Sequence, residues 1–321
     1  MKLLIPGGAG YVGSHMVKYA QEQGHEVVVL DDFSTGYEWA VKDCEVLKVN
    51  LLDQESLNKI IKGRYFDGVI HFAAKSLVGE SIKKPYFYYR NNVVGTLNLV
   101  NEMISNDINN LVFSSTASIF GNPINEKIAE DHPKNPINPY GKSKLMAENI
   151  LQDICSAIDL NVMCLRYFNA AGAHESADIG EAHDPETHLI PNVLKSVLSN
   201  EINLKVFGDD YPTRDGTCVR DYVHVTDLAQ AHMLGLLYMQ NNKGFSVFNL
   251  GNGDGFSVLE IIKDCERITN TKIPFQIAGR RKGDAAVLVS ENCLAIENLK
   301  WNPMYKNISK IIRSAWSWHN S

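Results

Sequence analysis

Tyr140 and Lys144 stand four residues apart, so on a helix they share a face and bring a phenol beside an ammonium group. A free tyrosine has a pKa of about 10 and is a poor base at neutral pH. A neighbouring lysine cation favours the phenolate and turns the tyrosine into a usable acid or base. The same spacing decorates many exposed helices, so the pair needs support from elsewhere in the chain. That support lies near the amino terminus, in Gly7-Gly-Ala-Gly10-Tyr11-Val12-Gly13. Glycines of this kind let the backbone turn tightly and approach a pyrophosphate, and the helix that follows offers unpaired N–H groups and the positive end of its dipole. Asp31, 18 residues past Gly13 and followed by Asp32, falls where an acid bonds a ribose hydroxyl. Its charge would repel a 2′-phosphate, which favours NAD over NADP.

The elements needed to position these groups are visible as an alternation. Strands are expected at 2–6, 26–30, 46–49, 67–72, 110–115 and 161–166, with helices near 11–23, 54–62, 83–106 and 140–157. Such alternation predicts an α/β fold, a doubly wound parallel sheet covered by helices on both faces. Ligands of such sheets bind beyond the carboxyl ends of the strands, where Gly7, Asp31, Phe72-Ala73-Ala74, Ser114 to Thr116 and Tyr167-Phe168 collect. After Phe168 the pattern loosens into loops rich in glycine, proline and acids. The expected division is a nucleotide-binding domain over 1–168, to which 222–250 returns, and a smaller substrate-binding domain built from 169–221 and 251–321.

Bulk properties suit a two-lobed enzyme. The 321 residues exceed what one hydrophobic core usually serves, and 45% hydrophobic content is ample for two. Against 37 acidic residues stand 31 Lys and Arg, a net charge of −6 with no basic run, which argues against nucleic acid or an anionic membrane as partner. No apolar run reaches membrane-spanning length and Met1-Lys2 leads straight into a strand, so no signal peptide is expected. The six cysteines carry no C-x-x-C pair and no His at ligand spacing. They read as reduced thiols of a cytoplasmic protein, with neither disulfide frame nor metal site.

The glycine spacing, three and three, together with the later Tyr-x-x-x-Lys, resembles the extended short-chain dehydrogenase/reductase family. Within it the chain is similar to the UDP-glucose 4-epimerases. The likeness runs nearly end to end: GGAGYVGSH from 7, VIHFAA from 69, KPYFYYRNNVVGTLNLV from 84, FSSTASIFG from 113, NPYGKSK from 138, LRYFNAAGAH from 165, HLIP from 188, VFGDDYPTRDGTCVRDYVHVTDLAQAH from 206 and RRKGDAA from 280. Several of these blocks are shared by all nucleotide-sugar enzymes of the family; FGDDYPTRDGT with VRDYVHV is close to specific for the epimerases.

The resemblance implies reversible interconversion of UDP-glucose and UDP-galactose. Hydride leaves C4 for bound NAD, the 4-keto sugar rotates, and hydride returns to the other face. It makes Tyr140 and Thr116 the proton-handling pair, with Lys144 also bonding the nicotinamide ribose; Ser115 would merely satisfy buried backbone. It assigns Tyr11, Val12, Asn50, Leu51, Phe72, Ala73, Ala74, Asn91, Ser114, Tyr167 and Phe168 to NAD alongside the glycines and acids. To the UDP-hexose it assigns Asn169, His188, Leu189, Lys205, Val206, Phe207, Arg220, Tyr222, Arg281, Asp284 and Leu288, with the arginines as planar forks for phosphate, Phe207 stacking on uracil and Asp284 on its ribose. Plainer readings stay open: Arg220-Asp221 as a structural ion pair, Phe207 as core, Asn91 as a cap. The aromatic helix beginning near Lys84 carries apolar groups on too many sides for one buried face, and the family pairs such helices. A homodimer through the helices near 84–106 and 140–157 is therefore expected.

The chain departs from the family at several positions. Asn50 replaces an Asp, Phe120 replaces a Tyr, Ser76 stands where some relatives have Lys, and His188 where others have Asn. Leu288 occupies the sugar-pocket gate, where a Tyr excludes N-acetylated sugars. Epimerisation of UDP-N-acetylglucosamine/UDP-N-acetylgalactosamine or of UDP-glucuronate is thus an alternative. A 4,6-dehydratase is disfavoured because Ala117-Ser118, not an acid pair, follows Thr116. A non-catalytic NAD-binding redox-sensing regulator would typically have lost Tyr140 or Lys144, and both are present.

Overall fold

The computed structural model describes residues 1–199, 204–281 and 283–321. Elements follow in the order β1 (Lys2–Pro6), α1 (Tyr11–Glu22), β2 (Glu26–Asp31), β3 (Glu45–Lys48), α2 (Gln54–Ile61), β4 (Gly68–His71), α3 (Val78–Lys83), α4 (Pro85–Tyr89), α5 (Gly95–Ser105), β5 (Asn110–Thr116), α6 (Pro139–Ala157), β6 (Asn161–Tyr167) and β7 (Asn169–Ala171). After these come α7 (Leu189–Ser199), β8 (Lys205–Phe207), β9 (Val219–His224), α8 (Val225–Tyr238), β10 (Phe245–Leu250), β11 (Gly255–Ser257), α9 (Val258–Thr269), β12 (Gln276–Ala278), β13 (Val287–Leu288), α10 (Cys293–Asn298) and α11 (Ile308–His319).

The near-continuous apolar strands Leu3-Leu4-Ile5, Val27-Val28-Val29-Leu30 and Leu111-Val112-Phe113 are buried on both faces, as a sheet sandwiched between helix layers requires. Seven strands form that sheet in the order β10-β6-β5-β4-β1-β2-β3, every pairing parallel. The order reverses direction at β1, and the crevice there opens at the carboxyl ends of β1 and β4. One core lies between the sheet and α1 with α8, centred on Leu3, Ile5, Met16 and Leu228; a second lies on the other face around Leu4, Leu57, Leu99 and Leu151. Buried residues of α8 spread over much of the helix because both the sheet and α1 pack against it.

The second lobe has its own core, Val193, Leu194, Ile261, Ile262, Ile311 and Ile312, beneath two small sheets. Its helix α9 begins with a capping box in which Ser257 and Glu260 satisfy each other's backbone N–H groups. The division between lobes is more interleaved than the sequence pattern implies. β10 joins the large sheet beside β6, whereas β9 belongs to the second lobe, between β11 and β13. Ala295, Leu299 and Trp301, near the carboxyl end, are buried in the first lobe's core, where the Trp301 indole N–H donates to the Asp227 carbonyl at 2.9 Å.

The single helix expected near 83–106 is in fact broken. Lys84 precedes a proline, leaves the helical region at φ −130° and ψ 56°, and so ends α3; Pro85 starts α4 at its first turn. A π-helical turn over Arg90–Val94 then joins α4 to α5. Such a turn inserts one residue into the helix and is frequent at functional sites. Here it carries Asn91 and Asn92.

Candidate active site

A cavity of about 1050 Å³ lies between the lobes. Its floor is the glycine loop. Gly7 has φ +79°, and a Cβ there would fall 2.3 Å from the Ala73 backbone nitrogen; a Cβ on Gly13 would fall 2.1 Å from the Gly7 carbonyl oxygen. Neither position accepts a side chain without moving backbone. No side chain caps α1 at Gly10, and the first helical residues Tyr11, Val12 and Gly13 line the cavity. That is a cradle of backbone N–H groups suited to an anion. Asp31 is buried at the end of β2 and braces the loop: one carboxylate oxygen accepts from Ala9 N–H at 3.0 Å and the other from Phe33 N–H at 2.9 Å. Burial nonetheless pushes its pKa up. Asn50 is tied to the acid pair, donating to Asp32 at 2.6 Å while its own carbonyl accepts Leu52 N–H at 2.8 Å.

The chemistry-bearing groups face this floor from β5 and α6. Asn138 caps α6 by accepting Gly141 N–H at 2.8 Å, and Pro139 occupies the first turn. The cap fixes the start of the helix one residue before Tyr140. Lys144 is buried, donates to the Ser114 carbonyl at 2.8 Å, and lies 4.7 Å from the centroid of the Phe113 ring. Burial pushes its pKa down to about 7. Burial also pushes Tyr140 above its ordinary value, and the hydrogen bond with Thr116 pulls it partly back. The depression of Tyr140 expected from Lys144 is therefore not what this geometry gives: burial raises Tyr140 and lowers Lys144, driving both towards their neutral forms. Thr116, at the last position of β5, accepts Ser118 N–H at 3.1 Å, which leaves its own O–H to donate. Ser115 is buried against Glu148, itself paired with Arg166 at 2.7 Å, and takes no part in the cavity.

Every residue expected at the cofactor lines this cavity, as do Thr116, Asn169, His188, Arg220, Arg281, Asp284 and Leu288. Leu189, Lys205, Val206, Phe207 and Tyr222 do not. Val206 and Tyr222 are buried in the second lobe's core, and Phe207 sits under the Arg281 guanidinium, 4.9 Å from ring centroid to carbon. Arg281 also donates to Asp284 at 3.0 Å. The reading of Arg220-Asp221 as an ion pair fails: Asp221 is fully buried and accepts from the backbone N–H groups of Asn252, Gly253 and Ser290. Arg220 bonds only the Val219 carbonyl among the described residues and is left facing the cavity. Leu288 pairs with Arg220 in the strand register and packs beside Phe120 and Phe168. Lys282, within the quoted RRKGDAA block, lies outside the described residues.

Two features escaped the sequence reading. Asn92, not Asn91, is the buried asparagine: it clamps Lys75 through both backbone groups, at 2.8 and 2.9 Å, and donates to Ser143 at 3.0 Å, locking the loop after β4 to α6. The π-helical turn that points it inward has no sequence signature. The second is Glu181-x-His183-x-x-Glu186-x-His188, whose ligand-type atoms all lie within 4.8 Å of one another. Its spacing is legible in the sequence, but it contains no cysteine and follows no C-x-x-C pattern.

The model for the NAD dependent epimerase/dehydratase family matches residues 3–251. A UDP-glucose 4-epimerase of Halalkalibacterium halodurans is 46% identical over 99% of this chain and 96% of that protein. The crystal structure of UDP-glucose 4-epimerase from Bifidobacterium longum in complex with NAD+ and UDP superimposes with a TM-score of 0.95 at 35% identity, covering 100% of this chain and 98% of that one. The UDP-Glc/GlcNAc 4-epimerase from Campylobacter jejuni gives a TM-score of 0.86 at 38% identity, with 99% of each chain covered.

Proposed function

The chain belongs to the NAD-dependent epimerase/dehydratase family, and from that premise we propose that its cavity interconverts UDP-glucose and UDP-galactose with NAD as resident cofactor. The observation that carries this reading is that the glycine cradle and the Tyr140–Thr116–Lys144 group open into one cavity. When bound, NAD supplies the acceptor for hydride from the sugar C4 and its return. The glycine loop and the α1 N-terminus hold its diphosphate, and Asp31 and Asp32 its adenosine ribose. Tyr140 takes the C4 hydroxyl proton and gives it back, Thr116 shares that proton, and Lys144 orients the nicotinamide ribose. Arg220 and Arg281 hold the substrate diphosphate while the sugar has room to turn.

A second reading, epimerisation of N-acetylated UDP-hexoses, rests on Leu288, which offers less bulk beside the sugar than an aromatic gate. Further features bear on the quaternary and cellular picture. Tyr86, Phe87, Val94, Leu97, Ile104 and Met146 expose apolar surface along α4, α5 and α6, which favours a homodimer. All six cysteines are unpaired, in keeping with a cytoplasmic setting. No helix among the described residues is long and apolar enough to cross a membrane. We divide the chain functionally into an NAD lobe, 1–168 with 222–250, and a UDP-sugar lobe from 169–221 and 251–321.

The deciding experiment incubates the protein separately with UDP-galactose and UDP-N-acetylgalactosamine and resolves the products by NMR. UDP-glucose should form in the first without NADH accumulating, since the hydride leaves and returns within one site. Stoichiometric NADH release would instead mark a dehydrogenase.

A further inference from the structure

Glu181, His183, Glu186 and His188 lie on the loop between β7 and α7, at the rim of the cavity and over the glycine loop. Two imidazoles and two carboxylates converge there, one ligand atom from each within 4.8 Å of every other. The carboxylates are desolvated: the side chains of Glu181 and Glu186 are 4% and 6% exposed. His183 Nδ1 lies 3.0 Å from Glu181 Oε1 and 4.0 Å from Glu186 Oε1, and His188 Nδ1 lies 3.6 Å from Glu186 Oε1 and in contact with Glu181 Oε1.

Part of this set is satisfied internally: His183 Nδ1 shares a hydrogen bond with Glu181 Oε1, and Glu186 Oε1 accepts the Thr187 and His188 backbone N–H groups at 2.8 and 2.9 Å. His188 Nδ1 is buried and, despite its proximity to two carboxylates, makes no aligned hydrogen bond; Glu186 Oε2 is likewise buried without one. Lys195 Nζ approaches Glu186 at 3.5 Å as a partial counter-charge. Two imidazole nitrogens and two carboxylate oxygens within 4.8 Å of one another are close enough to share one ion, with His188 Nδ1 and Glu186 Oε2 still free to turn to it. Left as a hydrogen-bonded network, buried polar atoms without partners would be costly.

We propose that Glu181, His183, Glu186 and His188 bind one divalent transition-metal cation, zinc by the donor set. Two neutral imidazoles with two carboxylates and no thiolate suit Zn²⁺, and four protein ligands make a closed, structural site instead of a catalytic one with an open position. Its effect is architectural. The His183 ring packs edge-on against Tyr11 at 6.0 Å between centroids, and the Tyr11 hydroxyl donates to the Gly172 carbonyl at 2.6 Å. An ion at this point pins the 172–188 loop to the first turn of α1 and fixes the start of α7. It also makes His188 a metal ligand, so that it shapes the cavity wall without itself holding the sugar or diphosphate.

The test uses the full chain with its NAD, freed of any affinity tag, dialysed against chelator and titrated with zinc chloride alone by calorimetry. The expected result is one ion per chain, a higher thermal midpoint on zinc addition, and affinity weakened about a hundredfold or more in Glu186→Gln and in His183→Ala. Cobalt(II) added to the wild-type chain should give the intense visible bands of four-coordinate cobalt, a readout that stands even if a variant misfolds. No zinc retained above the dialysis background overturns the proposal. So does binding that both folded variants preserve, or a weak six-coordinate cobalt spectrum.

Discussion

The two walls of the cavity are built on opposite principles. On the first lobe the functional groups are held by backbone: a glycine loop braced by Asp31, a lysine anchored on the Ser114 carbonyl, a threonine at the end of a central strand. On the second lobe they are charged side chains held loosely: Arg281 pairs with Asp284, and Arg220 bonds only the Val219 carbonyl among the described residues. The first kind of wall tolerates no displacement. The second is exchangeable, because partly exposed ion pairs contribute only about 0–1 kcal/mol and are readily traded for a phosphate or a ribose. An enzyme that must grip a diphosphate yet let a sugar turn needs both: a fixed reference for the reacting atoms and an adjustable hold on the substrate.

The sharpest break in that comparison is a change on the rigid side. Tyr140→Phe keeps the ring and its packing and removes only the proton acceptor. Turnover should drop by about 10² or more while UDP affinity stays near wild type. Near-wild-type turnover would remove the assignment of Tyr140.

A second change on that side is read through pH. The pKa of Lys144 is lowered from 10.5 to about 7 by burial, so in protein stripped of NAD the folded state sheds its proton before the unfolded chain does. Between about pH 7 and 10.5 the unfolded state binds more protons, and this group makes stability rise with pH across that window. Subtracting the unfolding free energy of Lys144→Met from wild type at each pH should recover the rise. A flat difference would show that Lys144 stays charged when buried.

The exchangeable side should respond in binding and not in chemistry. Arg281→Ala removes a phosphate fork but touches no reacting atom, so KM for UDP-galactose should rise by about tenfold with kcat little changed. An equal fall in kcat would mean that Arg281 positions the sugar as well, and the contrast between the walls would weaken.

Legibility in the sequence follows the same division. The rigid wall could be read because each feature has a backbone cause with a local signature: Gly7 and Gly13 where no Cβ fits, Asp31 at a strand end, Asn138-Pro139 before a helix. The direction of the Tyr140 shift could not, because spacing shows which groups meet but not how much water is excluded. The exchangeable wall was harder. Val206 and Phe207 are neighbours on β8 and face opposite ways, whereas Arg220 and Tyr222 are two apart on β9 and share a face; what each meets depends on pairing with β12, β13 and β7, far away in sequence. The broken aromatic helix was half legible: Pro85 announces the first interruption, but nothing in Arg90–Val94 announces the π-helical turn.

The smallest effect expected is at Leu288, and it tests whether the adjustable wall also sets sugar choice. Leu288 is only partly buried, lines the cavity and stands beside Arg220 in the register of β13 with β9. A leucine lacks the ring and phenol of a tyrosine, which leaves space near C2 of the hexose for an acetamido group. Contacts of this size discriminate by about 1–3 kcal/mol, so UDP-N-acetylglucosamine should turn over as a secondary substrate. Leu288→Tyr should remove that activity and spare UDP-galactose. The measurement is kcat/KM for both sugars in wild type and variant. A selective loss makes Leu288 the gate; equal losses on the two sugars make it packing for Phe120 and Phe168, and sugar choice then lies with other residues of the wall.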